Sequence, residues 1–248
     1  MRLGVLRAAL VFIWLFVAGM TPVQAKIIAN WDKSARSWNN SHMSQIKASM
    51  QDAGHSVLAD APITDATLKA GVLVVGEPVA APSSTEMAKM KDFVALGGMV
   101  LVFGDTGIDL TTYNTLLTGL GSSIQFTTST VGTSSALPDG FFTTGPNKIS
   151  GGSLNVTSGN GTAGGKLVDS NYVRYERVGS GIVVVFGDRI DHNDVISPTN
   201  TSLLLNVVAI AADPPFIVPA LSGAMLLVLG VALAAVAARS ARLRAWTS

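Results

Sequence analysis

Between residues 26 and 120, short apolar runs alternate with stretches of helical period. Lys26–Asn30 (KIIAN) reads as a strand. Met43, Ile46, Met50 and Ala53 then recur at the spacing of one helical face, and Gly54 supplies a stop. His55–Ala59 (HSVLA) predicts a second strand and Gly71–Gly76 (GVLVVG) a third, whose unbroken Val/Leu run suits a sheet covered on both faces. Ser83 and Glu86 stand at capping-box spacing ahead of Met87, Met90, Phe93, Val94 and Leu96, a helix closed by Gly97-Gly98. Met99–Phe103 (MVLVF) is the next buried strand, and Ile108–Leu120 predicts a further helix.

Strands alternating with helices at these separations predict an α/β fold, a three-layer αβα arrangement around a mostly parallel sheet. Right-handed crossovers then place the C-terminal ends of the parallel strands on one edge. The texture changes over 127–165, which is dense in Gly, Ser and Thr and carries Pro138-Asp139-Gly140 and Gly145-Pro146-Asn147 as turn signals. It predicts an insertion of short antiparallel strands and loops with Ser153–Val156 paired, and disorder is the alternative. Tyr172–Val178 (YVRYERV) alternates like an edge strand and turns through Gly179-Ser180-Gly181 into the core strand Ile182–Phe186. Asn200–Ala211 closes the domain as a helix. Phe-Gly-Asp ends two buried strands, at 103–105 and 186–188.

Both ends of the chain are apolar in a different way. Arg2 and Arg7 precede an apolar stretch from Ala8 to Gly19, and Val23-Gln24-Ala25 has the small-x-small form of a cleavage site, so residues 1–25 read as a signal peptide. A retained N-terminal anchor is the alternative. Phe216–Ala238 contains no charged residue and is followed by Arg239, Arg242 and Arg244, the pattern of a transmembrane helix with a cytoplasmic stop. The expected organisation is therefore a signal peptide (1–25), one exported domain (26–212) and a C-terminal membrane segment with a basic tail (213–248). The domain is placed outside the cytoplasm and held at the inner membrane.

The 248 residues contain no cysteine, which excludes disulfides, thiolate metal sites and a cysteine nucleophile. A net charge of +1 leaves no electrostatic footprint for nucleic acid. The exported segment is long enough for one real core and short for two.

Ligands of open parallel sheets bind beyond the strand C-termini. Asp32, Glu77, Asp105, Thr106, Asp188, Arg189 and His192 fall there. Four converging carboxylates suit a cation site or a polar ligand cleft, whereas acids at strand ends also cap turns and helix N-termini without any ligand. The run Asp188–Asp194 lacks the glycine and distal glutamate of an EF-hand and reads as a solvated loop with internal Asp–Arg pairing. His42 belongs to a helix and His55 to a strand start, so only His192 lies near the edge. Thr106, His192 and Asp188 form a hydrolytic triad on paper, but the chain has no G-x-S-x-G elbow. No metal or cofactor is expected. Trp31, Trp38, Phe141 and Phe142 sit near element ends, where rings stack on sugars or pack inward. Asn39, Asn155, Asn160 and Asn200 head N-x-S/T triplets.

The order of elements, with VLVVGEP, MVLVFGD and GSGIVVVFGD, resembles the class I glutamine amidotransferase-like fold, nearest its non-enzymatic extracytoplasmic members. That family's nucleophile elbow falls at Gly104-Asp105-Thr106-Gly107, where the cysteine is missing, so the resemblance implies the fold alone. The tail Ile217-Val218-Pro219-Ala220-Leu221-Ser222, with its apolar run and arginines, resembles the IPTL-CTERM branch of PEP-CTERM sorting signals. Pro219, Leu221 and Ser222 match that signature, while Gly223 and Ala224 replace its usual Glu-Trp. The resemblance implies processing by an exosortase-type membrane enzyme after signal peptidase. It also implies delivery to the cell surface or matrix, with an exopolysaccharide or envelope glycan as a candidate partner. A non-catalytic surface protein is the expected function. A membrane-anchored glycan- or cation-binding module and an envelope hydrolase using the acidic edge are the alternatives.

Overall fold

A strand with only apolar side chains has no face to give to water, and three neighbouring strands of this chain are of that kind. The structure is a computed structural model that describes residues 25–169 and 172–211. The rest of the expected signal peptide and the whole C-terminal segment, including Pro219, Leu221, Ser222, Arg239, Arg242 and Arg244, lie outside the described residues. Among the described residues no helix is long and apolar enough to cross a membrane.

The strands are β1 (Ile27–Trp31), β2 (Ser56–Ala61), β3 (Val72–Gly76), β4 (Met99–Phe103), β5 (Gln125–Val131), β6 (Gly159–Ala163), β7 (Lys166–Asp169), β8 (Val173–Val178) and β9 (Gly181–Phe186). The helices are α1 (Ser44–Asp52), α2 (Ser84–Ala95), α3 (Leu110–Leu120) and α4 (Pro198–Ile210). Seven strands form one sheet in the order β2-β1-β3-β4-β9-β8-β7, and β5 and β6 pair separately. The first five of that order run parallel, and β8 and β7 run antiparallel to their neighbours.

Every residue of β3, β4 and β9 is buried. Alternate side chains of these strands go to opposite faces. Val72, Val74, Met99, Leu101, Phe103, Ile182, Val184 and Phe186 pack under α1 and α4 with Ile46, Met50, Leu203, Leu204, Val207 and Val208. Leu73, Val75, Val100, Val102, Val183 and Val185 pack under α2 and α3 with Met90, Phe93, Val94, Tyr113, Leu116 and Leu117. Helices on both faces explain the continuous Val/Leu runs, and the mixed α/β architecture with a mostly parallel sheet agrees with the pattern expectation.

Three expectations need correction. Ser153–Val156 is unpaired; the partner of β5 is Gly159–Ala163, which follows that stretch. The strand at 173–178 is not an edge, because Lys166–Asp169 adds outside it, so its polar alternation reflects partly exposed faces rather than an unpaired side. The helix expected from Ile108 begins at Leu110, since Asp109 stays extended and accepts from the Thr111 amide as N-cap.

Asparagines bind the insertion to α4. Asn206, fully buried, accepts from the Asn147 amide at 2.8 Å and donates to the carbonyls of Phe142 and Asn147. Asn200 does the same for Asn155, Ile190 and Val195. These bonds use the Asn200 amide group fully, so in the folded chain its N-x-S triplet is structural rather than an acceptor for sugar.

The capping box on α2 is formed, with reciprocal Ser83 and Glu86 bonds. Glu86 also accepts from Lys33 Nζ at 2.7 Å and Trp31 Nε1 at 3.3 Å, tying β1 to α2. Burial alone would raise its pKa, but the bonds from Lys33, Ser83 and Trp31 bring it down to about 2. Because the folded value lies below the unfolded 4.5, the stabilisation is complete above about pH 4.5 and is lost as pH falls towards about 2. Glu86→Gln is expected to lower stability by about 1–3 kcal/mol at neutral pH, with the two proteins converging in acid; denaturant unfolding against pH measures it.

Candidate functional site

β1, β3, β4 and β9 end in parallel at one edge, and the loop after β1 folds across the end of β3. Ser34 bridges to Pro78, the Arg36 amide donates to the Gly76 carbonyl and the Ala35 amide to that of Glu77. The crossing is so close that a Cβ on Gly76 would lie 1.8 Å from the Arg36 carbonyl oxygen, hence glycine there. Glu77, the next residue, has φ of +49°, the left-handed region that non-glycine residues rarely occupy. That turn aims its carboxylate at Arg36.

Arg36 lies 2.5 Å from Glu77 Oε2 through Nε and 2.9 Å from Asp105 Oδ2 through Nη1. Arg189 approaches the same Asp105 oxygen at 3.6 Å and Asp194 at 3.4 Å. Asp105 Oδ1 accepts from the Thr106 amide at 2.7 Å. Thus two cations interleave with three carboxylates along the edge. Asp188, fully buried, caps two turns by accepting from the amides of Thr157 and Arg189, both at 2.8 Å. Burial pushes its pKa up despite those amides.

A layer below, Trp38 lies 6.2 Å from Phe103, which stacks on Phe186 at 4.5 Å. The Trp38 indole donates to Asp191 Oδ2 at 2.7 Å. Asp191 is 1% exposed, and burial raises its carboxyl to about 6 against the effect of the indole bond. Its Oδ1, Arg189 Nε and Arg36 Nη1 are buried atoms without a hydrogen bond among the described residues, although Arg36 keeps its ion pair with Asp105. His192 bonds Asp194 through Nδ1 and stacks on His42 with ring centroids 5.2 Å apart. Beside them Asn193 accepts from the Gln45 amide and donates to Ser41 and Ser44. It caps α1 from across the chain, since Met43 offers no side-chain cap of its own.

The structure therefore brings together Glu77, Asp105, Thr106, Asp188, Arg189 and His192. Asp32 is exposed and stands outside the network. The Thr106–His192–Asp188 triad is not assembled, because Thr106 bonds Asp105, His192 bonds Asp194 and Asp188 bonds Thr157. The loop 188–194 has the expected Arg189–Asp194 pair but is not solvated throughout: Asp188 and Asp191 are buried. Among the described residues no group of three or more acids and histidines is disposed to hold a metal ion. The arginines occupy the oxygens a cation would need. Of the four loop aromatics, Trp31, Trp38 and Phe142 are core, and Phe141 alone is well exposed. Arg36 and His42 escape sequence reading as site residues, whereas Trp38 is named there as a ring near an element end and Asp191 and Asn193 stand in the polar run 188–194. Arg36, in a small-residue loop, carries no signal.

The sequence matches no family model and no curated protein. Solved structures match in fold. The mmIFT52 N-terminal domain aligns with a TM-score of 0.57 at 16% identity over 73% of this chain and 95% of its own. A cytoplasmic protein from Salmonella typhimurium aligns at 0.55 and 10% identity, over 75% of this chain and 99% of its own. A beta-galactosidase from Bacillus circulans aligns at 0.51 and 11% identity over 75% of this chain but 30% of the enzyme. At such identities the likeness concerns fold alone.

The folded Asp191 carboxyl holds its proton more tightly than the unfolded one at 3.8, so it favours the fold below about pH 3.8, and that benefit is lost as pH rises through about 6. Asp191→Asn keeps an oxygen for Trp38 and removes the buried charge. It is expected to raise stability by about 1–3 kcal/mol near pH 8 and to match the parent near pH 4, read as thermal unfolding across that range.

Proposed function

We propose that this protein is an exported, non-catalytic αβα module displayed at the cell envelope, carried there by an N-terminal signal and processed or held by its C-terminal segment. The observation that carries the non-catalytic part is the state of the strand-end edge. The acids that converge there are already committed: Glu77 and Asp105 to Arg36, Asp105 and Asp194 to Arg189, Asp188 to two backbone amides. Catalysis by hydrolysis needs a nucleophile touching a base, and among the described residues the histidine nearest this edge is paired with an acid and stacked on a second histidine.

The finer fold reading, a glutamine amidotransferase-like domain without its cysteine, belongs to this proposal. The elbow position Gly104–Gly107 holds Asp105, whose carboxylate neutralises arginines instead of attacking a substrate. The recurrence of the fold as a domain and as under a third of a glycosidase chain suits a module carried on different proteins. Delivery rests on the sequence: the cleavage site at Val23-Gln24-Ala25, the uncharged run Phe216–Ala238, Pro219-Ala220-Leu221-Ser222 and the terminal arginines. Signal peptidase and an exosortase-like enzyme are the partners this implies.

A second reading keeps a glycan-binding role for the same edge. It is favoured by the partly exposed side chains of Glu77, Arg189 and Asp194, acceptors and a donor that sugar hydroxyls complement.

Intact-mass analysis of the native protein tests the main reading. The expected species begins near Lys26 and ends before Met225. A chain still carrying its first 25 residues and found in the cytosol overturns export, and a full-length tail on an exported chain replaces sorting with a plain anchor.

A further inference from the structure

The opposite end of the sheet, where the parallel strands begin, carries the more informative surface. Ile28, Val72, Met99, Ile182 and Arg177 form one row across β1, β3, β4, β9 and β8 and mark that end. Three large apolar side chains stand out from it. Ile27 precedes the row and is 42% exposed; Leu96 closes α2 just before β4 and is 58% exposed; Phe141 is 40% exposed. Phe141 belongs to this end because Arg177 lies over its ring at 5.5 Å and Tyr175 stacks on it at 5.7 Å. Exposed Lys69 closes the turn that leads into β3. The pattern is apolar tips with Lys69 and Arg177 beside them, the guanidinium on an aromatic ring, and with the exposed acids Asp92, one turn before Leu96, and Asp52, at the end of α1.

The chain leaves the domain at the same end. α4 starts beside the strand-end loop, where Asn200 bonds Ile190 and Val195, and by Asn206 it has reached Phe142, the neighbour of Phe141. Its last residues run on past that point to Ala211. Only four residues separate Ala211 from Phe216, where the uncharged run begins, and two of them are Pro214 and Pro215. Five extended steps span about 18 Å at most.

We infer that this end docks on the phospholipid surface while the C-terminal segment is still membrane-inserted, with Ile27, Leu96 and Phe141 entering the headgroup layer and Arg177 and Lys69 meeting lipid phosphate. The inference rests on the membrane reading of residues 216–238. Aromatic rings and snorkelling cations favour the interface, and so short a tether keeps this end within its reach. A second copy covering the same residues is the competing occupant.

The absence of cysteine makes single labels simple. Leu96→Cys, Phe141→Cys and, at the far end, Val79→Cys, which is 68% exposed, are each introduced into the chain from Lys26 to Ser248, so that residues 216–238 are the one long apolar run left to anchor it. The labelled chains are reconstituted in phosphatidylcholine/phosphatidylglycerol vesicles and read with a fluorophore against a lipid-borne quencher. Quenching at 96 and 141 is expected to exceed that at 79 by about twofold or more. Equal quenching at all three positions, or shielding of 96 and 141 in a dimer without lipid quenching, overturns the inference. Alkaline extraction of the same vesicles reports the tail independently: an extraction-resistant chain without selective quenching sinks the docking surface alone, whereas an extractable chain sinks the membrane reading.

Discussion

Burying both faces of the central strands is the constraint on which this structure depends. β3, β4 and β9 contain no polar side chain, so the sheet exists in water only with helices on each side. The alternation of their side chains then divides one run of residues between two cores, one under α1 and α4 and the other under α2 and α3. The charged side chains of the loops that join these strands therefore collect at the ends of the sheet.

At the C-terminal ends these groups sit in partly buried positions, where an unmatched charge would be expensive. The chain meets this with interleaved Arg36, Glu77, Asp105, Arg189 and Asp194, and with backbone amides turned onto Asp188. The result is an edge with the composition of an active site and the wiring of a scaffold. Its acids hold loops from distant parts of the chain: the loop after β1, the turn after β4 and the loop 188–195. Asn193, Asp191 and the His42–His192 stack add a seam between the last of these and the start of α1. Asp191 is the exception, a buried carboxyl with one oxygen unpaired, and it makes this seam responsive to mild acid.

Much of the layout was readable in advance because it follows from local rules. The capping box on α2, the apolar strands and the hairpin turn at Gly179-Ser180-Gly181 each depend on residues within a few positions of one another. The pairing of β5 was not readable: Ser153–Val156 has the better apolar character, yet Gly159–Ala163 is the partner. There, close approach decides the outcome, since a Cβ on Gly161 would lie 2.3 Å from the Ser129 hydroxyl of β5. The edge position of β8 failed for a related reason, because Lys166–Asp169 is too short to announce itself as a strand.

The sequence by itself determined the alternation of strand and helix, the lack of thiol chemistry, the two apolar ends and the placement of acids beyond strand termini. These are properties of spacing and composition, which survive any arrangement of the elements. Only the tertiary structure decided what those acids do. Ion pairing acts over a few ångströms in space and is indifferent to separation along the chain, so Arg36 meeting Asp105 and Trp38 meeting Asp191 had no signature in spacing. The placement of Ile27, Leu96 and Phe141 at the one end of the sheet where α4 finishes is of the same kind, made by the fold from residues that no local pattern joins.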